Sequence, residues 1–193
     1  RDTDRSRGLG DVYKRQEDYR MKKNIILIGY MGCGKTTVGK SLARLESAIF
    51  LDTDERIEEK QGRTISEIFA QDSEKAFRDM ETAYLKELLR LKREGMIVST
   101  GGGMPVREEN RQLLRELGYV VYLKASAETI YERVKEDTKR PLLQCEDPLS
   151  RIRDMMKQRR EAYESTAHYI VQVDTYKQQE LAEIIQERYR KML

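Results

Sequence analysis

The stretch Gly29-Tyr30-Met31-Gly32-Cys33-Gly34-Lys35-Thr36-Thr37 follows directly on the apolar run Asn24-Ile25-Ile26-Leu27-Ile28 and opens into a helical pattern. No other feature limits the fold so sharply. Gly-x-x-x-x-Gly-Lys-Thr in this setting calls for a buried strand, a glycine turn, and a helix whose first amides have no partner within the helix and converge on an anion. The spacing marks Gly32, Cys33, Gly34, Lys35, Thr36 and Thr37 as a phosphate cradle. Lys35 is expected along the β and γ phosphates of a nucleotide, and the Thr36 hydroxyl on the Mg²⁺ that bridges them. A glycine-rich turn with an incidental lysine is the alternative, and the strand before and helix after the loop argue against it.

Apolar runs and helical patterns alternate through the rest of the chain. The spacing predicts a helix over 35–45 with Val38, Leu42 and Leu45 as its buried stripe. A second strand, Ala48-Ile49-Phe50-Leu51, stops at Asp52-Thr53-Asp54. Acids at a strand's carboxyl end are placed for metal and substrate in open α/β sheets, but either could equally cap the next helix. Thr64-Ile65-Ser66-Glu67 reads as a capping box before a short helix, and a longer helix follows over 73–93. In it Arg78 and Glu81 share a face, an arrangement that by itself is ordinary surface decoration.

Met96-Ile97-Val98-Ser99-Thr100 forms a third strand that runs into Gly101-Gly102-Gly103, either a ligand's close approach to backbone or a flexible turn before Pro105. The next helix is expected to end at Gly118, and a fourth strand covers 119–123. Residues 135–148 lack periodicity and read as a mobile lid. A basic helix follows from Pro148, then a strand over 169–173 and an amphipathic helix capped at Thr175. His168 is expected to be structural. The alternation predicts a doubly wound, mostly parallel sheet with helices on both faces.

Length and charge narrow the function. The 193 residues, 38% hydrophobic, suit one domain with a sizeable core. No apolar run approaches the roughly 20 residues of a membrane span, and no signal-peptide segment stands at the start, so a cytoplasmic protein without membrane association is expected. Lys+Arg at 37 against Asp+Glu at 34 leaves +3 with the signs interleaved, which gives no face for nucleic acid. Cys33 and Cys145 have neither disulfide nor metal-ligand spacing. Residues 1–20 are polar and aperiodic and end before Met21, so the domain is expected over 21–193. The string Asp11-Val12-Tyr13-Lys14-Arg15-Gln16 is similar to an in-frame reading of a sequencing-library transposon end, which makes 1–20 either non-native or a genuine disordered extension.

The phosphate loop, Leu51-Asp52-Thr53-Asp54, Phe77-Arg78-x-x-Glu81, Gly101-Gly102-Gly103, Arg140-Pro141-Leu142-Leu143, and Arg159 four residues before Tyr163 together resemble the shikimate kinases over almost all of 21–193. The resemblance implies a P-loop, nucleoside-monophosphate-kinase-like three-layer α/β fold with a five-stranded parallel sheet and a mobile lid. It implies an ATP-dependent kinase that phosphorylates the 3-hydroxyl of shikimate on the route to chorismate and the aromatic amino acids. It further implies ATP contacts at Gly32, Cys33, Gly34, Lys35, Thr36, Thr37, Arg133 and Arg140, and shikimate contacts at Asp54, Arg78, Gly101, Gly102, Gly103 and Arg159. Lys35, Asp54 and Arg140 are the implied catalytic groups, Thr36 and Asp52 the Mg²⁺ ligands, and a monomer the expected state.

The chemistry is compatible with those roles. Phosphoryl transfer needs alignment and charge neutralisation more than covalent help, and forked guanidinium groups such as Arg78 and Arg159 suit a carboxylate. Another small-molecule kinase on the same scaffold, such as a gluconate kinase, would keep the loop but need a polyol pocket. A nucleotide-gated switch is the reading from another class; no Asn-Lys-x-Asp guanine-reading motif occurs.

Overall fold

The computed structural model describes residues 23–135 and 145–193. Residues 136–144, which include Arg140 and most of the expected lid, lie outside the described residues, as does the extension 1–20. Five strands, β1 (Asn24–Ile28), β2 (Ile49–Asp52), β3 (Met96–Ser99), β4 (Gly118–Lys124) and β5 (Tyr169–Gln172), form one sheet in the order β2-β3-β1-β4-β5. Every pairing is parallel. β1 is central, with all five residues buried, as expected of an unbroken apolar strand covered on both faces. β2 and β5 are edges, and Ile49 and Ile170 there are exposed.

The helices are α1 (Lys35–Leu45), α2 (Thr53–Gln61), α3 (Ile65–Gln71), α4 (Glu74–Arg90), α5 (Glu108–Leu117), α6 (Ala127–Val134), α7 (Pro148–Thr166) and α8 (Gln178–Arg190), with 3-10 turns at Met104–Val106 and Val173–Thr175. α1 packs on α8, while α4, α5 and α7 pack in series. The sheet and helix faces share one apolar core. Gly39 lets α1 sit close to the sheet: a methyl group there would stand 2.6 Å from the Phe50 ring and 3.1 Å from Leu27. Asn24 knots the amino ends of three elements. Its Nδ2 donates to the Arg93 and Leu117 carbonyls at 2.9 and 3.0 Å, and its Oδ1 accepts from Met96 N at 3.0 Å.

Local chemistry sets the helix starts. Thr64 and Glu67 form the expected capping box, and Ser73 and Ser126 cap α4 and α6. Two expectations need correction. Leu45 is 41% exposed, and the buried face of α1 is Val38, Gly39, Leu42 and Ala43. Thr175 does not cap α8, because the chain makes a 3-10 turn there and α8 begins only after Lys177. The helix before β4 ends at Gly118 as expected, where the backbone is extended and the missing side chain lets β4 lie against the Asn24 carbonyl. His168 is structural as expected. Its Nδ1 accepts from Val120 N at 2.9 Å and its ring stacks on Tyr119.

Among the described residues no helix is long and apolar enough to cross a membrane. No disulfide joins buried Cys33 to exposed Cys145.

Candidate active site

The carboxyl ends of β1, β2 and β3 converge on a cleft of about 500 Å³, lined in part by Gly32, Gly34, Lys35, Thr36, Thr37, Asp52, Asp54, Gly102 and Arg133. The loop between β1 and α1 forms its floor. Gly32 and Gly34 hold left-handed backbone, φ 72° and 101°, which favours glycine. Gly34 occupies the N-cap of α1 and offers no side chain to the first amides, which leaves them available to an anion. Lys35 Nζ donates to the Gly29 and Tyr30 carbonyls at 2.8 and 3.1 Å, so the cation lies folded back over the loop. Arg133 reaches from α6 and donates through Nη1 to the Gly32 and Cys33 carbonyls at 3.2 and 3.1 Å.

Asp52 caps α2, its Oδ1 accepting from Asp54 N at 3.1 Å, while its Oδ2 accepts from the Thr36 hydroxyl at 3.3 Å. The strand end is thereby tied to the phosphate loop. Between the two acids, buried Thr53 accepts from Gly101 N at 3.1 Å and ties the same strand end to the glycine turn.

The glycine turn answers a question the sequence left open: backbone here is approached closely, and by the protein's own charged groups. A methyl group on Gly101 would stand 2.5 Å from Asp54 Oδ1 and 2.9 Å from Glu81 Oε1, and one on Gly103 would collide with the Arg78 guanidinium. Gly102 backs on the phosphate loop, and its carbonyl accepts from the Tyr163 hydroxyl at 2.6 Å.

Arg78 and Glu81 are far from surface decoration. Glu81 is fully buried, and Arg78 donates to it at 2.8 Å and to Glu74 at 3.0 Å. Burial raises the Glu81 carboxyl, against the pull of Arg78. Asp54 is pushed up to about 7, first by burial and then by the charges of Asp52 and Glu81, with Lys35 and Arg78 opposing. Asp54 Oδ1 and Glu81 Oε1 are buried and lack a hydrogen-bond partner among the described residues. Arg159 projects from α7, half-buried, with its guanidinium carbon 5.7 Å from the centre of the Tyr30 ring.

The structure thus brings the phosphate loop, Thr36, Asp52, Asp54, Arg78, the three glycines, Arg133 and Arg159 to one end of the sheet, and Arg140 lies outside the described residues. The burial of Glu81, the Thr53 tie and the Tyr163 bond were not read as parts of a site. Only the Phe-Arg-x-x-Glu and Arg-x-x-x-Tyr spacings hinted at the first and last.

A parallel α/β sheet with a phosphate loop beside a buried acid and paired arginines defines an ATP-dependent small-molecule phosphotransferase. The family model for shikimate kinase matches residues 31–190. A shikimate kinase of Thermodesulfovibrio yellowstonii is 41% identical over 170 residues, 88% of this chain and 96% of the relative. One of Acinetobacter baumannii is 43% identical over 162 residues, 84% of this chain and 89% of the relative. Among solved structures, shikimate kinase from Acinetobacter baumannii in complex with shikimate superposes with a TM-score of 0.84 at 39% identity, covering 91% of this chain and 97% of that one. A gluconokinase from Sinorhizobium meliloti, 17% identical with a TM-score of 0.56, shares the fold alone. The chain belongs to the shikimate kinase family.

Proposed function

We propose that Lys35, Asp54, Arg78 and Arg159 carry the reaction of this family member, transfer of the γ-phosphoryl group of ATP to the 3-hydroxyl of shikimate. The product, shikimate 3-phosphate, feeds chorismate and aromatic amino acid synthesis. The observation behind the assignment is the convergence of Asp54 Oδ1, Glu81 Oε1 and the Arg78 guanidinium on Gly101 and Gly103, with Asp54 itself lining the same cleft as the phosphate loop. A small acid with several hydroxyls matches a guanidinium on one side and a carboxylate on the other.

Each residue then has a physical task. Lys35 leaves the Gly29 and Tyr30 carbonyls and turns to the β and γ phosphates, whose remaining charge falls on the amides at the start of α1. Asp54 accepts a hydrogen bond from the attacking hydroxyl, orients it, and in its ionised form can take the proton. Arg78 and Arg159 grip the shikimate carboxylate, with Glu81 holding Arg78 in place. Gly101 and Gly103 leave room for the Asp54, Glu81 and Arg78 side chains to close on the acceptor side of the turn. Gly32, Cys33, Gly34, Thr36 and Thr37 line the nucleotide phosphates, and Arg133 and Arg140 complete the ATP side of the same reading.

Magnesium suits the donor set. Among the described residues no cluster of three or more His, Cys, Asp and Glu side chains forms a metal cage. Thr36 and Asp52 bring two side chains together at 3.3 Å, the sparse protein contribution typical of an ion that keeps waters and phosphates as its other ligands. Bound with ATP, it would supply positive charge to the phosphates during transfer. Thr36 would bind it directly and Asp52 through water. A catalytic unit over 21–193, acting as a cytoplasmic monomer, completes the reading.

ADP release measured with ATP alone, with shikimate and with gluconate tests the assignment. Release that depends on shikimate supports it. Equal rates with gluconate, or tight nucleotide binding with no transfer, would remove it.

A further inference from the structure

Three consecutive glycines have no side chains with which to hold their own turn, so its orientation depends on backbone hydrogen bonds. Gly101 N is held by Thr53, Met104 N closes back on the Gly101 carbonyl at 3.1 Å, and Val106 N on the Gly103 carbonyl at 3.1 Å. The Gly102 carbonyl is held by Tyr163 of α7, 61 residues away. Tyr163 is 1% exposed, and its ring packs at a tilt on Tyr122 of β4, with centroids 5.0 Å apart. One turn earlier on the same helix face stands Arg159, and its guanidinium opposes the burial that drives the Tyr163 phenol well above its ordinary range. Arg159 also lies over Tyr30, which belongs to the phosphate loop. A methyl group on Gly102 would stand 3.5 Å from Met31 N and 3.6 Å from the Gly29 carbonyl of that loop.

We propose that Tyr163 is a positioning residue for the acceptor. Its hydroxyl fixes the glycine turn and Arg159 relative to each other and to the phosphate loop, so that one shikimate molecule meets its carboxylate and hydroxyl ligands together. The proposal rests on Arg159 as a carboxylate ligand. Packing alone would require only the ring, since phenylalanine preserves the contact with Tyr122. The hydroxyl is the atom that joins the helix to the turn, and losing its hydrogen bond leaves the Gly102 carbonyl free to rotate.

Steady-state kinetics of Tyr163→Phe, with shikimate and ATP varied in turn, tests this. The KM for shikimate should rise about tenfold, the equivalent of one buried hydrogen bond, while the KM for ATP stays within about twofold. Tyr189→Phe is the control. Its hydroxyl is bonded to the Lys23 backbone at the opposite end of the sheet, so its loss should lower the melting temperature without moving either KM. Arg159→Lys and the double variant complete the set, and the two changes should be less than additive on shikimate KM. If Tyr163→Phe behaves like Tyr189→Phe, the hydroxyl is structural and the proposal falls. If Arg159→Lys leaves shikimate KM unchanged, the carboxylate reading itself falls, whatever Tyr163 does. Should Tyr163→Phe be too unstable for kinetics, thermal shifts read the same split: the shift from ATP is kept and that from shikimate reduced. Equal loss of both would overturn the proposal.

Discussion

Asp54 and Glu81 aim one buried oxygen each at the same point, the bare Cα of Gly101, and neither oxygen has a hydrogen-bond partner among the described residues. Two acids held this way cost stability when both are ionised, and burial adds to that cost. The arrangement stores an unfavourable charge where a substrate hydroxyl can relieve it.

Asp54→Asn should therefore stabilise the ligand-free protein while abolishing turnover. With the folded-state value raised to about 7 from 3.8, the folded protein binds more protons than the unfolded chain between those values. Stability contributed at this site is then lost as pH rises through that window and is lowest above 7. The gain from Asp54→Asn should be larger at pH 8 than at pH 5 by on the order of 2 kcal/mol. Thermal melts of both proteins at the two pH values check this. A gain independent of pH would show that Asp54 is not held near neutrality.

Arg78→Lys keeps the positive charge beside buried Glu81 but loses the fork, which makes it a better probe than alanine. Removing the charge outright would leave a buried acid unpaired, at about 3 kcal/mol or more. The lysine variant should raise the KM for shikimate by ten- to a hundredfold, roughly 1.5 to 3 kcal/mol, with the KM for ATP nearly unchanged. Shikimate methyl ester, lacking the anion, should be a poor substrate that scarcely distinguishes the two enzymes. Equal handling of shikimate by both would reduce Arg78 to a partner of Glu81.

Gly103→Ala and Gly62→Ala separate space from backbone strain. The first places a methyl group against the Arg78 guanidinium and should weaken shikimate binding. The second meets nothing within 4 Å but sits at φ 62°, so it should lower stability by roughly 1 kcal/mol and leave kinetics alone. Melting temperatures and both KM values for each variant decide, and loss of shikimate affinity in Gly62→Ala would contradict the distinction.

Lys35→Ala removes the cation that the ligand-free loop keeps on its own carbonyls. Transfer should fall below detection and ATP affinity should drop, measured by ADP release and calorimetry. Turnover near that of the unaltered protein would undo the assignment of the whole cleft.

The parts of this molecule visible in its sequence are those set by short-range rules. The phosphate loop, the strand pattern and the capping box depend on residues a few positions apart, and each stands where the spacing puts it. Leu45 was misread because burial along α1 is set by how that helix packs on distant elements. Glu81 is the sharper case. At i,i+3 from Arg78 it is indistinguishable from a solvated pair until the glycine turn folds over it, and only the family resemblance gave it weight. The joint between Tyr163 and Gly102 spans 61 residues and leaves no periodic trace.

The sheet order has a further consequence. β1, which carries the phosphate loop, is bonded along both edges, whereas β2, which delivers Asp52 and Asp54, is bonded along one and exposes Ile49. Amide exchange should accordingly be slowest in β1 and faster in β2. The phosphate loop hangs from the stiffest rail of the molecule, while Asp54 hangs from its margin and the glycine turn from inner β3. On the proposed reading, changes in the border strand and its neighbouring helices would reshape the acceptor side and leave the keel beneath the phosphate loop intact.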